Sequence, residues 1–323
     1  MTKKKKMLEL ITMTCYHPVA IEKLKPTHSN YDPKHKIRFL GPAKDLLNVQ
    51  DAYSTAVSDI KLIPCGKCIG CRIDKARDWA VRIWCEAYTS PNNSWFITLT
   101  YDDDHIGSPS LDKKDFQQFI KDLRNYVGYK YNHNVRYFGC GEYGDTSGRK
   151  HFHIILFDLP ELDFVPRSSR NGSLYYESSI LSELWSKGYV VIAQLNLSTA
   201  SYVARYTLKK QGLKKYDDLG VQAPFILMST RPGIGYNYFH MNHKNLEAFP
   251  YIFIEHKNYP MPRYFKRLFE EEYGIPTEYF NDDLIEKVYK KNLIKEIKSK
   301  NDLIDIYEAE ELNLEAQQKR RTL

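Results

Sequence analysis

Two histidines separated by one residue open an apolar run, in which His151-Phe152-His153 is followed by Ile154-Ile155-Leu156-Phe157. Alternate residues of a β-strand point to the same face, so a strand here presents both imidazoles together and turns Phe152 and Ile154 toward a core. Two converging imidazole nitrogens are suited to binding a metal ion. The alternative interpretation is that the two histidines merely line the solvent side of an edge strand.

A third metal ligand is predicted across a hairpin. Eight residues separate Glu142 from His151, and they include the turn-rich segment Gly144-Asp145-Thr146-Ser147-Gly148. A hairpin bent about this segment brings the Glu142 carboxylate alongside His151. Two imidazoles and one carboxylate favour Mg²⁺ or Mn²⁺ acting on a phosphate over a closed structural zinc site. We therefore predict a catalytic Mg²⁺ or Mn²⁺ bound by His151, His153 and Glu142.

A second group of reactive side chains lies in the segment Tyr202-Val203-Ala204-Arg205-Tyr206, which places two phenols one helical turn apart. Three cations fall on the same side of such a helix: Arg205, Lys209 and Lys210. These cations are expected to contact phosphate oxygens and to favour ionised tyrosine, whose ordinary pKa of about 10 makes it a weak nucleophile at neutral pH. Either tyrosine would then attack phosphorus and form a covalent ester. Alternatively, the helix carries these side chains only to cover neighbouring apolar surface.

Three cysteines at two-residue gaps form a further cluster, Cys65-x-x-Cys68-x-x-Cys71, and Cys15 is the predicted fourth member. Four thiolates make a structural Zn²⁺ site that would attach an N-terminal arm to the core. An iron-sulfur cluster uses similar spacing, and three buried reduced cysteines are the simplest alternative. Cys85 and Cys140 lie within apolar patterns and are predicted core residues.

The elements that must position these residues follow from hydrophobic periodicity. A helix is predicted from Ile73 to Thr89, and the tyrosine helix is predicted to begin at Ser198 and end at Gly212. Between them the predicted order is strand, helix, strand, strand, helix, strand: 95–101, a helix capped by Ser110, 135–142, 151–157, 180–187 and 189–195. This order predicts an α+β fold of the split βαβ (ferredoxin/RRM-like) kind, with a mainly antiparallel sheet and helices on one face.

Three regions are predicted along the chain: an N-terminal arm with short strands and the cysteine cluster (1–72), a core (73–270) and a charged helical or disordered tail (271–323). Residues 224–265 are predicted to form loops and short strands. The chain has 323 residues and is 42% hydrophobic, which is enough for a real core. It contains no run of 18 apolar residues and no secretory core, so we expect a cytosolic protein without a membrane partner.

The charge and aromatic content indicate a nucleic-acid partner. The formal net charge is +7 and there are 25 tyrosines, which fits a surface that attracts a polyanion and stacks bases. A non-catalytic protein that binds single-stranded nucleic acid shares these properties, and it is the alternative to an enzyme.

Three segments resemble the ordered motifs of HUH endonucleases, the initiators of rolling-circle replication: Phe96 to Tyr101, His151-Phe152-His153 and Tyr202 to Lys210. The paired tyrosines resemble the form found in small icosahedral single-stranded DNA phages. The chain is most similar to replication initiators of gokushovirus-like Microviridae, since four further segments also match: Met13 to Pro18, Pro64 to Arg72, Gly141 to Gly144 and Met228 to Gly235.

This resemblance implies an HUH endonuclease core with metal ligands His151 and His153, a third polar ligand at Glu142, and nucleophiles at Tyr202 and Tyr206. It implies a site-specific single-stranded DNA nickase and strand transferase that acts at a viral replication origin through a 5′-phosphotyrosine. The released 3′ hydroxyl would prime a host DNA polymerase in the host bacterial cytoplasm. No Walker-type sequence is present, so a host helicase is expected to unwind the duplex. A plasmid-type initiator or transposase with the same chemistry is the remaining alternative.

Overall fold

The structure is a computed structural model of the chain, and it divides into two compact units. One unit comprises Met1–Asp74 with Pro276–Leu323, and the other is Lys75–Ile275. The sequence prediction treats the two terminal segments as separate regions, whereas the structure groups them. The described residues are 15–17, 19–24, 26, 37–42, 59–144, 147–170, 173–206, 213–280, 309–314 and 316–317.

The terminal unit contains a small antiparallel sheet of three short strands, β1 (Val19–Lys23), β2 (Ile37–Pro42) and β3 (Asp59–Ile63), in the order β2-β1-β3. Helix α1 (Ile69–Tyr88) begins just after the third strand and runs past the boundary at residue 74. The short strands predicted for the arm are thus present. The charged tail predicted between residues 281 and 308 lies outside the described residues.

The larger unit contains a seven-stranded sheet, the helices that connect or follow its strands, and a small hairpin. In chain order the elements are β4 (Trp95–Tyr101), α2 (Lys113–Tyr131), β5 (Arg136–Tyr143), β6 (Lys150–Phe157), β7 (Val165–Arg170), β8 (Ser173–Glu177), α3 (Ser179–Trp185), β9 (Gly188–Gln194), α4 (Leu197–Tyr206), α5 (Leu213–Asp218), β10 (Phe225–Met228), α6 (Tyr236–Ala248), β11 (Tyr251–Ile254), β12 (Lys257–Pro260) and α7 (Arg263–Tyr273). Within the described parts of the chain, no helix is both long and apolar enough to span a bilayer.

The sheet order β10-β5-β6-β4-β9-β8-β7 confirms the predicted fold class. Every neighbouring pair is antiparallel. The four strands β9-β4-β6-β5 are the fourth, first, third and second strands of the predicted split βαβ unit. The centre of the sheet is therefore β4 and β6, the two strands that carry the aromatic-threonine and histidine motifs.

Helices lie on both faces of this sheet, and in this respect the prediction of helices on one face is incomplete. Helices α2 and α3 cover the first face, where they bury a core that includes Ile97, Leu99, Phe116, Leu123, Phe152, Ile154 and Trp185. Helices α1 and α4 cover part of the second face, where the core includes Ala80, Ile83, Phe138, Ile155, Ala200 and Val203. The periodicity of each helix shows that it has an apolar side, but it does not show which face of the sheet that side meets.

Several predicted boundaries differ from the structure because local polar groups decide them. Helix α2 is capped by Asp112, whose carboxylate accepts from the Lys114 N–H at 2.8 Å, rather than by Ser110. Helix α6 lies where the sequence predicts loops and short strands, since this segment is rich in Tyr, Asn and His, which are weaker helix formers than Ala or Leu. The hairpin of β7 and β8 is a further element that the sequence pattern does not predict.

Candidate active site

The antiparallel register of β5 and β6 sets the position of the predicted ligands. Glu142 lies directly opposite His151, and Cys140 lies opposite His153. Phe152 and Ile154, which alternate with the histidines, are fully buried in the core of the first face. Both imidazoles and the carboxylate therefore lie on the second face of the sheet, as strand periodicity predicts.

The three side chains converge on a single oxygen. His151 Nε2 lies 2.8 Å and His153 Nε2 lies 3.1 Å from Glu142 Oε1, and the potential ligand atoms of the three residues all lie within 4.8 Å of one another. Glu142 and His153 are buried, while His151 is partly exposed. Two imidazoles and a carboxylate arranged in this way fit a divalent cation that retains open positions for other ligands.

The second nitrogen of each imidazole is also held. His153 Nδ1 lies 3.0 Å from the hydroxyl of Thr98, and His151 Nδ1 lies 3.1 Å from the carbonyl oxygen of Arg149. Such outer contacts fix the orientation and tautomer of a metal-binding imidazole. The sequence analysis does not predict the contribution of Thr98. The signal for it is the alternation of Phe96, Thr98 and Thr100 on β4, which puts a threonine opposite each histidine.

Tyr202 lies beside this ligand set. Its ring centroid is 5.4 Å from that of His153 in an edge-to-face arrangement, and 6.2 Å from that of Phe96. Phe96 in turn stacks on His153 at 5.4 Å. The Tyr202 side chain is 37% exposed, so it is accessible from solvent while it contacts the imidazole layer.

Helix α4 positions Tyr202 by burying its opposite side. Ala200, Val203 and Ala204 are almost fully buried against the second face of the sheet. The helix is capped at Asn196, whose side chain accepts from the Thr199 N–H at 2.8 Å while the Thr199 hydroxyl accepts from the Asn196 N–H at 2.9 Å. This reciprocal pair replaces the predicted cap at Ser198.

The remaining residues predicted on this helix are only partly described. Tyr206 is the last residue of α4, four positions after Tyr202 and thus on the same side of the helix backbone. For Tyr206 and Arg205 the structure describes the backbone alone. Lys209, Lys210 and the predicted helix end at Gly212 lie outside the described residues.

In the terminal unit the structure brings Cys15, Cys65, Cys68 and Cys71 together, with all four sulfurs within 4.8 Å of one another. The Cys65 and Cys71 sulfurs are 3.9 Å apart, and those of Cys15 and Cys68 are 3.8 Å apart. A zinc ion bound by four thiolates at about 2.3 Å spaces its sulfurs by about 3.8 Å. The sulfur positions thus fit a single tetrahedral metal ion.

The environment of the cluster acts differently on its thiols. Burial raises the pKa of the Cys15 thiol to about 12 and also raises the pKa of Cys71. Burial acts in the same direction on Cys65, but N–H donors from Cys68 and Lys67 outweigh it and lower the pKa of Cys65 to about 7. Cys85 and Cys140 lie elsewhere and are buried core residues, as their apolar surroundings in the sequence indicate.

Comparison with known proteins decides the family. The model of the replication-associated protein ORF2 family matches residues 94–211. The replication-associated protein ORF2 of Spiroplasma virus 4 is 35% identical over 247 residues, which cover 72% of this chain and 76% of that protein. The chain belongs to this family of replication-associated proteins. The resemblance to microvirus replication initiators drawn from the sequence motifs is thereby confirmed.

Two further family members support the assignment. The replication-associated protein VP4 of Bdellovibrio phage phiMH2K is 31% identical and aligns over 75% of this chain and 77% of its own length. The replication-associated protein ORF4 of Chlamydia phage 1 is 33% identical, with 68% and 57% covered respectively. No solved structure gives a significant match. The residues matched by the family model include the candidate metal ligands and both tyrosines, but not the cysteine cluster.

Proposed function

We propose that this family member initiates rolling-circle replication by nicking single-stranded DNA at the viral origin and later rejoining it. The observation that supports this proposal is the 5.4 Å approach of the Tyr202 ring to His153, one of three side chains that converge with the geometry of a metal site. A nucleophile beside a cation is the arrangement that transfer of a phosphodiester requires.

The metal proposed for this site is Mg²⁺ or Mn²⁺, held by His151, His153 and Glu142. When bound, the cation supplies Lewis-acid polarisation of the scissile phosphate. A site with one buried carboxylate and neutral imidazoles retains room for phosphate oxygens, which suits these ions better than a closed thiolate site suits them.

In the proposed reaction the Tyr202 oxygen attacks phosphorus, and its proton passes to water because the side chain is partly exposed. A bond forms between phosphorus and the tyrosine oxygen, while the bond from phosphorus to the 3′ oxygen breaks. The leaving 3′ oxygen takes a proton from water and becomes a free hydroxyl. One phosphoester replaces another, so joining by the reverse reaction needs no ATP.

The second tyrosine gives the reaction its return half. Tyr206 lies four positions after Tyr202, so it is proposed to cleave the origin regenerated after one round of synthesis. The newly freed 3′ hydroxyl then attacks the first phosphotyrosine and closes a circle. A host DNA polymerase that extends the first 3′ end and a host helicase that unwinds the duplex, both in the bacterial cytoplasm, are the partners proposed with this mechanism.

A covalent-adduct assay tests the proposal. The protein is incubated with labelled single-stranded oligonucleotides that tile the cognate viral genome, with Mn²⁺ or with EDTA, and denaturing gels are examined for a protein-linked fragment. We expect an adduct that EDTA abolishes, partial adduct in Tyr202→Phe and in Tyr206→Phe, and none in the double variant. Tyr129→Phe, at a tyrosine 96% exposed on α2, is the matched control and should retain full activity.

The alternatives give different results in the same assay. A non-catalytic protein that binds single-stranded nucleic acid would retain the oligonucleotides without any adduct under every metal tested. A plasmid-type initiator or transposase would form the adduct on a different cognate sequence. Full linkage in the double tyrosine variant would remove both tyrosines from the mechanism.

We also propose that the four cysteines bind one structural Zn²⁺. Their sulfur separations of 3.8 and 3.9 Å support a single ion, whereas an iron-sulfur cluster would hold its thiolates farther apart. Elemental analysis should find one zinc per chain and none in Cys68→Ser. Cys85→Ser, at a buried cysteine outside the cluster, is the matched control and should retain the metal. Zinc retained in Cys68→Ser, or iron in its place, would contradict the assignment.

A further inference from the structure

A row of four side chains crosses the second face of the sheet at the candidate metal site. Tyr189 on β9 lies opposite Thr100 on β4, Thr100 lies opposite His151 on β6, and His151 lies opposite Glu142 on β5. Residues directly opposite one another in antiparallel strands point to the same face. Tyr189 is thus on the face that carries the metal ligands, two strands away from His151.

This part of the face is open. Tyr189 is 67% exposed and Val191 is 42% exposed, while Val190, which lies between them, is buried in the opposite core. Strand β8 pairs with β9 only at Ile192 and Ala193, so no described strand continues the sheet beyond Tyr189. Helix α4 covers the neighbouring part of the same face but leaves the tyrosine accessible.

The open part of the face suits a polyanionic strand with exposed bases. Tyr189, Val191, Thr98 and Thr100 carry no negative charge. In the loop that follows β4, the carboxylate of Asp103 is paired with the guanidinium of Arg149 at 2.6 Å. An exposed tyrosine ring offers a flat surface on which any base can stack. Two strand spacings place Tyr189 about 10 Å from His151.

That spacing matches the reach of a bound strand. Nucleotides of one strand advance by about 3.4 Å when stacked and by more when extended, so Tyr189 lies under a base roughly one to three positions from a phosphate at the metal ligands. An exposed tyrosine on a strand is common, but an exposed tyrosine in line with a metal-ligand row, with only threonine between them, leads directly from the reacting phosphate.

We propose that Tyr189 binds the single-stranded DNA substrate by stacking on a base next to the scissile position, with Thr100, Thr98 and Val191 beneath the intervening nucleotides. The DNA therefore runs across the sheet from β6 toward β9. This inference rests on the proposed function for the identity of the strand, but the contact itself is independent of cleavage.

Equilibrium binding in EDTA tests the contact without any chemistry. A fluorescein-labelled oligothymidylate is titrated with wild type, Tyr189→Ala and Tyr189→Phe, and the anisotropy gives each Kd. Loss of one stacked base should raise the Kd of Tyr189→Ala by roughly 5- to 150-fold, while Tyr189→Phe should stay within about twofold because the ring remains. Tyr129→Ala, at an exposed position of α2 on the first face, is the control and should bind as wild type.

A second measurement locates the base. Oligothymidylate with one iodouracil is irradiated with the protein, and mass spectrometry should place the cross-link on Tyr189. Wild-type affinity in Tyr189→Ala, cross-links elsewhere with none at Tyr189, or no binding by the wild type would each overturn the inference. Failure of the adduct assay with these binding results intact would instead overturn the proposed chemistry alone.

Discussion

Each imidazole of the candidate metal centre is held at both of its ring nitrogens. Nε2 of His153 lies 3.1 Å from Glu142, and Nδ1 lies 3.0 Å from the Thr98 hydroxyl. A metal ligand that is oriented before the ion arrives loses less rotational freedom on binding. Thr98 is therefore expected to matter for metal affinity although it is not itself a ligand.

Replacing Thr98 by valine tests this expectation. Thr98→Val keeps the shape of the side chain but removes the hydroxyl, so we expect Mn²⁺ affinity to fall by roughly 10- to 100-fold. Isothermal titration calorimetry without DNA measures it. Thr100→Val is the control, since Thr100 lies on the same face opposite His151 and its hydroxyl makes no hydrogen bond among the described residues. Equal affinity in Thr98→Val and Thr100→Val would contradict the orienting role.

At this scale the sequence predicts positions better than contacts. Strand periodicity and the hairpin are sufficient to place His151, His153 and Glu142 on one face, because both depend only on the period of two and on the turn. The sequence does not reveal that Thr98 faces His153, since this depends on which strand lies beside β6 and in which register. The convergence of Cys15 with cysteines 50 or more residues later likewise requires the tertiary fold.

Among the elements, α2 is tied to two strands of the sheet by one carboxylate. Asp115 accepts from the Tyr101 hydroxyl at 2.6 Å and pairs with Lys187, the residue just before β9. Burial alone would raise the pKa of Asp115, but the hydrogen bonds from Lys187 and Tyr101 outweigh it and the pKa is lowered. A carboxylate with a lowered pKa stabilises the folded state above its unfolded pKa of about 3.9, and this stabilisation is lost as the pH falls through the folded value.

Asp115→Asn should therefore destabilise the larger unit at neutral pH and have a smaller effect near pH 3. We expect a loss at the lower end of roughly 1.5–3 kcal/mol at pH 7, because Lys187 is partly exposed and water screens its charge. Urea unfolding followed by tryptophan fluorescence measures it, since all four tryptophans lie between residues 75 and 275. Asp104→Asn, at an exposed carboxylate, is the control, and an Asp115→Asn effect that did not depend on pH would contradict the ionic origin.

The sequence predicts helices and strands with strong periodicity, but it does not predict the weakly patterned ones. The apolar stripe of α2 has five buried residues, whereas α6 buries only Phe239 and Leu246. The N–H of Gly235, the residue before α6, donates to Glu86 Oε2 at 2.6 Å, so a tertiary contact helps to set where α6 begins. Local sequence cannot predict a boundary that a partner 149 residues away helps to define.

At the scale of the whole molecule, the chain divides into a unit that contains the cysteine cluster and a unit that contains the candidate active site. The terminal unit has only a three-stranded sheet of short strands in its described part. Small sheets of this kind rarely bury enough apolar surface for independent stability, so a bound metal would contribute much of the folding free energy.

Hydrogen exchange of the Cys68→Ser variant tests this division of stability. We expect amides in 19–23, 37–42 and 59–63 to lose protection, while those in 95–101 and 150–157 keep it, because each unit opens as its own cooperative element. Mass spectrometry of peptides from both units provides the readout, with Cys85→Ser as the comparison. Loss of protection in 95–101 and 150–157 as well would indicate that the cluster stabilises the entire chain.

The two-residue repeat of β6 restricts how this gene can change in length. One codon inserted between His151 and Phe157 would shift the pairing partners of the following residues and turn side chains that now face the metal site toward the apolar core. Codons added to the turn between Gly144 and Arg149 would leave the paired strands as they are. Viral isolates with longer or shorter versions of this protein should therefore differ at that turn and keep the spacing of the two histidines.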